Sequence, residues 1–415
     1  MFALSRSNQA SGNAAREPAR TAQTDDGFSS AIAGACNLTW RETIAKLAHQ
    51  AGALKILGKI SRSYELRRSS RNLLPALRRV LNPKYMILCY HRVGTEGIPY
   101  YCTLPILQFE MQMKFLQENF RVLPLSQLCE ELQNPGNSGN AVAVTFDDGY
   151  SDLYTNALPV LRKYDIPATV YLTADCIETG EVAWYDRIFL ALQVAPGETI
   201  ELPIPGGLRL DINSPHQRIE SGARIVSILR RTPAAERTRF CAAIERQVNL
   251  PAEKLAGRML NWEQVREMRS AGVFFGSHTL SHPVLSQLEP EDLEKELRES
   301  RSLLEARLGE PVLDFAFPFG RPEDCGPIAA AVAARCGYRS AVTTSWGVNS
   351  PGTHMHALKR VQVGEERTAA SFGLRIHQAF FMASDSFAQP AVSVSRDANP
   401  NHADAGALVQ RKTDA

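Results

Sequence analysis

Between Tyr85 and about residue 365 the chain repeats one pattern, a short continuous apolar run followed in most cases by a longer stretch with apolar positions at helical spacing. The runs fall at 85–90, 120–124, 141–146, 167–172, 271–276, 312–317, 338–343 and 357–363. Strands that are apolar throughout, rather than at alternate positions, are buried on both faces, and when helices separate them they form parallel sheets with right-handed crossovers. Seven or eight such units predict an α/β fold closed, or nearly closed, into a (β/α) barrel. Chemistry in such barrels gathers at the C-terminal ends of the strands. Asp147 and Asp148 follow Phe146, His278 follows Val273-Phe274-Phe275, and His91 follows Cys89-Tyr90, so three strand ends are expected to converge on one mouth.

One stretch breaks the alternation. Residues 176–260 open with Trp184-Tyr185-Asp186-Arg187 and continue through amphipathic helical patterns, which reads as a helical insertion between two barrel units and a candidate lid. Its Leu202-Pro203-Ile204-Pro205-Gly206-Gly207 segment, with Leu208 and Leu210, suits a small hairpin. The barrel with this insertion is expected over 85–382. Residues 1–40 and 383–415 are small, polar and unperiodic, the composition of disordered ends. Residues 41–84 predict a basic amphipathic helical segment, with Ile44, Leu47, Ala51 and Leu54 on one face and eleven Lys/Arg against two acids. Such a segment suits either packing on the next domain or peripheral contact with an anionic membrane surface.

The remaining composition narrows the class. A net charge of +2 over 415 residues argues against a dedicated nucleic-acid binder. The eight cysteines form no CxxC pair and are scattered through expected strands and helices, as reduced, mostly buried thiols are. With neither a long apolar run nor the apolar core of a secretory signal, a cytoplasmic protein, peripheral to a membrane at most, is the expectation.

Two segments carry chemistry, Thr145-Phe146-Asp147-Asp148-Gly149-Tyr150 and Ser277-His278-Thr279-Leu280-Ser281-His282-Pro283. Adjacent carboxylates at the end of a buried strand do not serve packing unless partnered. Asp-Asp-Gly is also good turn chemistry, and the two readings are compatible. His278 and His282 have the spacing that places two imidazoles one helical turn apart. An isolated HxxxH is more often structural than metal-binding. An aspartate at a neighbouring strand end changes that, because two histidines and one carboxylate leave positions open for water and substrate. With Asp148 as third ligand, Asp147 remains close enough to take a proton from water there.

These segments, with Phe315-Ala316-Phe317-Pro318-Phe319-Gly320 and Pro167-Ala168-Thr169-Val170-Tyr171-Leu172, resemble the polysaccharide deacetylases of the family four carbohydrate esterases, the group that includes the nodulation chitooligosaccharide deacetylases. The resemblance spans roughly 85–365. It implies a distorted (β/α) barrel and a hydrolase that removes N-acetyl groups from an amino-sugar polysaccharide or oligosaccharide, of exopolysaccharide, capsule or chitooligosaccharide type. By the same resemblance Asp147 is the general base, Asp148, His278 and His282 bind a divalent ion, usually Zn2+, and Phe319 lends its backbone N–H to the oxyanion.

The chain departs from the family pattern in two places. Ala316 stands where many members have an arginine that orients the catalytic aspartate, so that support is absent or comes from Arg321 or Arg360. The family's late Leu-x-x-His motif has only an echo in Leu374-Arg375-Ile376-His377, so His377 and His91 are rival candidates for the general acid. His354 and His356 read as surface residues. The same machinery would also serve an O-acetyl esterase or another non-peptide amidase, and a non-catalytic glycan-binding relative is the reading that Ala316 and the unassigned acid motivate. A two-carboxylate glycosidase fits poorly, because adjacent aspartates do not straddle a sugar.

Overall fold

The computed structural model describes residues 84–94, 103–134, 139–204, 206–364 and 366–382. The expected disordered ends 1–40 and 383–415, the basic segment up to residue 83, and Cys36 and Cys102 lie outside the described residues. The strands are β1 (Tyr85–Tyr90), β2 (Arg92–Val93), β3 (Thr103–Leu104), β4 (Arg121–Val122), β5 (Ala141–Phe146), β6 (Ala168–Leu172), β7 (Thr199–Leu202), β8 (Leu208–Asp211), β9 (Val273–Ser277), β10 (Asp314–Ala316), β11 (Ser340–Trp346) and β12 (Leu358–Gln362).

Seven of them form the ring β1-β12-β11-β10-β9-β6-β5, which closes where β5 pairs with β1 along its whole length, Tyr85 opposite Ala141 through Tyr90 opposite Phe146. Every pairing in the ring is parallel. The run expected as a strand at 120–124 is only the stub β4, which meets β5 at Ala141 and Val142, whereas β6 pairs with β5 from Val144 onward. Since β1 fills the other edge of β5, β4 has nowhere further to pair.

The continuous apolar runs are explained by what each strand face meets. β1, β5 and β6 are buried at every position. Alternate residues Tyr85, Ile87, Ala141, Ala143, Tyr171, Ala316, Val342 and Leu358 form an inner cluster, joined by Leu125, Leu128, Cys129 and Leu132 of the helix Leu125–Gln133. Their neighbours Met86, Leu88, Val142, Val144, Phe146, Val170 and Phe315 face the surrounding helices in a second cluster. Because Tyr85 and Ala141 begin their strands, the helix Leu125–Gln133 packs at the N-terminal end of the barrel. The opposite end is left to polar groups. The described cysteines, Cys89, Cys129, Cys176, Cys241, Cys325 and Cys336, are free and buried. No helix among the described residues is long and apolar enough to cross a membrane.

The insertion sits in the crossover from β6 to β9, which are direct neighbours in the ring. Its helix Trp184–Val194 is covered by Pro215–Leu229 and Ala234–Val248, and β7 and β8 form the expected antiparallel hairpin. Gly222 permits the close crossing, since a Cβ there would lie 2.5 Å from the Phe189 ring. Arg187 clamps Glu245 across the helices with hydrogen bonds of 2.6 and 2.7 Å. The insertion ends at Asn261, whose side chain caps the helix Trp262–Ser270 in a reciprocal pair with Gln264. Just before that cap it is stitched to the mouth. Leu260 N–H donates to Gly149 O and Ser151 N–H to Arg258 O, both at 2.9 Å.

Candidate metal and catalytic site

Asp147 leaves the end of β5, its N–H donating to Tyr90 O at 3.0 Å. Strand alternation turns its carboxylate into the barrel, where Arg360 of β12 meets it. The guanidinium Nη1 and Nη2 lie 2.7 Å from Oδ1 and Oδ2 respectively, and Nε donates to Thr343 O at 2.9 Å. Arg360 is 1% exposed, so this two-point ion pair is desolvated. Burial pushes the Asp147 carboxyl up, but Arg360 and then His278 more than offset it, and the group is held below its ordinary range. The same pair raises the pKa of Arg360 despite its burial. The arginine contact that Ala316 cannot make to Asp147 is thus made from β12. Arg321 is elsewhere, exposed beside Glu323. That answers the part of the non-catalytic reading that rests on Ala316.

Asp148 takes the left-handed conformation at φ 72° and Gly149 follows at φ 88°, which turns the second carboxylate away from the first. Neither oxygen of Asp148 has a hydrogen-bond partner, though both are buried. Oδ1 lies 3.4 Å from Nε2 of His278 and 3.4 Å from Nε2 of His282. His278 Nδ1 lies 2.8 Å from Ala316 O, which assigns the proton to that nitrogen and leaves Nε2 with a lone pair facing Asp148. The ligand atoms of Asp148, His278 and His282 all fall within 4.8 Å of one another.

The segment joining the two histidines is a loop, not the helical turn that its spacing suggests. Thr279 and His282 have φ of 69° and 56°, and these two left-handed residues fold the second imidazole back toward the first. Side chains hold the loop in that strained form. Glu296 accepts from the N–H groups of Leu280 and Ser281 at 3.0 Å each and from Ser281 Oγ at 2.7 Å, while Thr279 Oγ1 accepts from His282 N–H at 3.0 Å. The His282 ring lies 4.8 Å from Tyr185 and 4.9 Å from Phe319, centroid to centroid. Nothing in the sequence pattern marks Glu296 or Tyr185 for this position.

Phe319 is left-handed too, at φ 57°, fixed by Thr344, whose Oγ1 donates to Phe319 O at 2.7 Å and whose N–H donates to Gly320 O at 2.9 Å. Its own N–H takes no hydrogen bond among the described residues. His91 lies at the same mouth, Nε2 4.0 Å from Asp147 Oδ2. Burial lowers its pKa in spite of Asp148 and Asp147, which favours the neutral imidazole. Cys89 donates to the same carboxylate oxygen at 3.6 Å.

His377 is not brought to this site. It packs against Phe120, ring centroids 5.8 Å apart, on the helix Ala369–Met382, where Phe380 O accepts from Lys84 Nζ at 2.7 Å. Lys84 precedes β1, so His377 belongs to the N-terminal end of the barrel, away from Asp147. The echo of the family motif is a packing residue. His354 is exposed as expected, but His356 is half-buried, with Nε2 2.8 Å from Tyr338 O.

The donor set suits a divalent ion. A buried carboxylate with both oxygens unpartnered is unfavourable unless a cation meets it, and the two imidazole nitrogens facing it complete a three-ligand set with room for water or substrate. The second cluster of potential ligands, Cys89, His91 and Asp147, already contains the guanidinium of Arg360, which disfavours a cation there.

A Bacillus subtilis (strain 168) protein named as a polysaccharide deacetylase, YxkH, is 24% identical over 295 residues, covering 71% of this chain and 76% of that protein. Two solved structures are similar: the Streptococcus pyogenes deacetylase PplD in complex with acetate (20% identity, TM-score 0.49, covering 72% of this chain and 99% of that one) and IcaB from Ammonifex degensii (21% identity, TM-score 0.47, 70% and 97%). The family model for polysaccharide deacetylases matches residues 134–341, half of the chain and the whole run from the paired aspartates to Phe319. This chain therefore belongs to the polysaccharide deacetylases, hydrolases of the carbon–nitrogen or ester bonds that carry acetyl groups on glycans.

Proposed function

We propose that the protein is a metal-dependent N-deacetylase of an amino-sugar polysaccharide or oligosaccharide, with Asp147 as general base, Asp148, His278 and His282 as ligands, most favourably to Zn2+, and Phe319 N–H as oxyanion donor. The observation that carries this reading is the division of labour between adjacent carboxylates. Asp148 is buried, unpartnered and faces two imidazole nitrogens, while Asp147 is turned away from it and held by Arg360. An ion held there would polarise the acetyl carbonyl and acidify water.

The residues of the chain itself supply the rest. Asp147, kept ionised by Arg360, accepts the proton of the attacking water. The free N–H of Phe319 donates to the oxygen that gains charge as the carbonyl becomes tetrahedral. His91, 4.0 Å from the carboxylate that has taken the proton, is the group suited to pass it to the departing amine. Trp184, Tyr185 and Phe319 form a group of aromatic rings beside His282.

The test is acetate release from N-acetylated and O-acetylated oligosaccharides by metal-replete protein, with metal content measured in parallel. Asp147→Asn is expected to lose turnover by about 10²–10⁴-fold with metal retained, whereas His278→Ala loses the metal. Turnover by correctly folded Asp147→Asn protein at the wild-type rate would remove Asp147 from its role. Release from O-acetyl substrates alone would reassign the reaction to an esterase.

A further inference from the structure

The insertion brings two arginines onto the aromatic wall of this site, and they differ in one respect. Arg230, closing the helix Pro215–Leu229, lies with Cζ 4.4 Å from the centroid of the Phe319 ring and is neutralised by Asp324. Arg237, on the helix Ala234–Val248, lies with Cζ 5.0 Å from the centroid of Trp184, and no carboxylate of the described residues pairs with it. Trp184 connects it to the site. Its indole N–H donates to the carbonyl of His282 at 3.4 Å, and its ring is 6.2 Å from that of Phe319.

Arg237 is only 7% exposed, yet among the described residues its guanidinium makes one hydrogen bond, a long one from Nη1 to Thr232 O at 3.4 Å. The titratable group that acts on it, Cys241, is a buried thiol whose pKa burial pushes up to about 12, so it brings no charge. Neither Nε nor Nη2 is both buried and unpartnered, so the donors not given to Thr232 reach the surface beside the indole, where a ligand can meet them. The unused donors form the planar fork that suits a carboxylate or a phosphate. A neutral sugar would need only the aromatic surface already present in Trp184 and Phe319.

We propose that Arg237, seated on Trp184, is an anion-binding position of the substrate site, and that the N-acetylated glycan this enzyme takes carries a carboxylate or phosphate group near the acetamido sugar. This rests on the deacetylase reading for the reaction and adds the substrate class. The insertion is then a specificity element, bringing a cation to one aromatic wall of a site whose chemistry lies entirely on the barrel.

Three probes separate the outcomes: a neutral N-acetylglucosamine tetramer, a tetrasaccharide alternating N-acetylglucosamine with glucuronate, and an N-acetylglucosamine oligosaccharide 1-phosphate. Binding by calorimetry and acetate release are read together on metal-replete wild-type, Arg237→Met and Arg237→Lys proteins, with thermal midpoints as the folding control. Methionine keeps the stem that covers Trp184 and removes the charge. One anionic probe is expected to bind at least ~10-fold more tightly than the neutral one, and which of the two does so identifies a uronate or a phosphate as the group recognised. Arg237→Met abolishes that preference through KM and Kd while turnover of the neutral tetramer stays within about twofold, and Arg237→Lys restores part of it. Equal Kd for neutral and anionic probes in the wild type, or an equal loss on all three in a folded Arg237→Met protein, overturns the proposal. An anionic preference in Kd without acetate release would instead overturn the deacetylase reading and leave this one standing.

Discussion

Replacing Arg360 by methionine removes the cation from Asp147 while keeping most of the buried volume. In the wild type the two side chains are 0% and 3% exposed and joined by hydrogen bonds of 2.7 Å at both ends of the fork. Two unit charges about 4 Å apart attract by about 4 kcal/mol at an effective dielectric near 20. Removing one partner of such a pair, which strands the other, costs about 3–5 kcal/mol. The pH dependence has a definite sign. Asp147 has a depressed pKa in the folded protein, so its pairing contributes stability that is present in full above the unfolded carboxylate pKa of about 4 and is lost as pH falls through the lower folded value. In Arg360→Met the desolvation that Arg360 had countered dominates, the folded pKa rises above the unfolded one, and the penalty is largest at neutral pH and shrinks on acidification. Urea denaturation at pH 7.5 and pH 5, with chelator in every sample, reads both effects. The double variant Asp147→Asn/Arg360→Met removes both charges and is expected to be at least ~2 kcal/mol more stable than the sum of the single losses predicts. A loss under about 1 kcal/mol at pH 7.5, or strict additivity in the double variant, would refute the reasoning.

Three further outcomes follow from the loops. Glu296→Ala releases three hydrogen bonds that shape the loop between the histidines, and metal affinity, measured by competition with a chelating dye, is expected to fall about 10–100-fold; unchanged affinity would show that the loop holds itself. Gly149→Ala puts a Cβ 2.7 Å from Leu172 Cδ2 at φ 88°, so a loss of at least ~1 kcal/mol in chemical denaturation is expected, and a neutral result would mean that the turn repacks. His91→Asn should lower kcat by about 10²–10⁴-fold with metal content intact, whereas His377→Asn should lower the thermal midpoint and leave kcat/KM unaltered; the reverse pattern would reinstate His377 as proton donor.

The barrel was legible because its strands are buried on both faces, a requirement that writes itself into sequence as unbroken apolar runs such as Ala141-Val142-Ala143-Val144. The stub at Arg121–Val122 misleads for the same reason, since an apolar run does not disclose that the edge it would join is already taken. Asp147, Asp148, His278 and His282 could be found because each stands next to the strand or loop that delivers it. The helical rationale for the histidine spacing was nonetheless wrong, because the positive φ of Thr279 and His282 has no residue signature of the kind that glycine gives. Arg360 could only be one candidate beside Arg321, for it reaches Asp147 from 213 residues away, and only ring closure decides between them. The contributions of Glu296, Tyr185 and Trp184 depend on helix docking and were not legible at all.

The distance along the chain between Asp147 and Arg360 also sets an order of assembly during synthesis. Asp148, His278 and His282 have all been made before β10 begins, so a growing chain holds all three proposed ligands while it still lacks β11 and β12. The guanidinium that pairs with Asp147 arrives on the strand that also pairs with β1 to complete the ring. Until then Asp147 has no cationic clamp and the barrel has an open seam. An ion captured at the proposed ligands by the nascent chain would therefore precede the clamp on Asp147, and the strand that shuts the seam is also the one that brings that clamp.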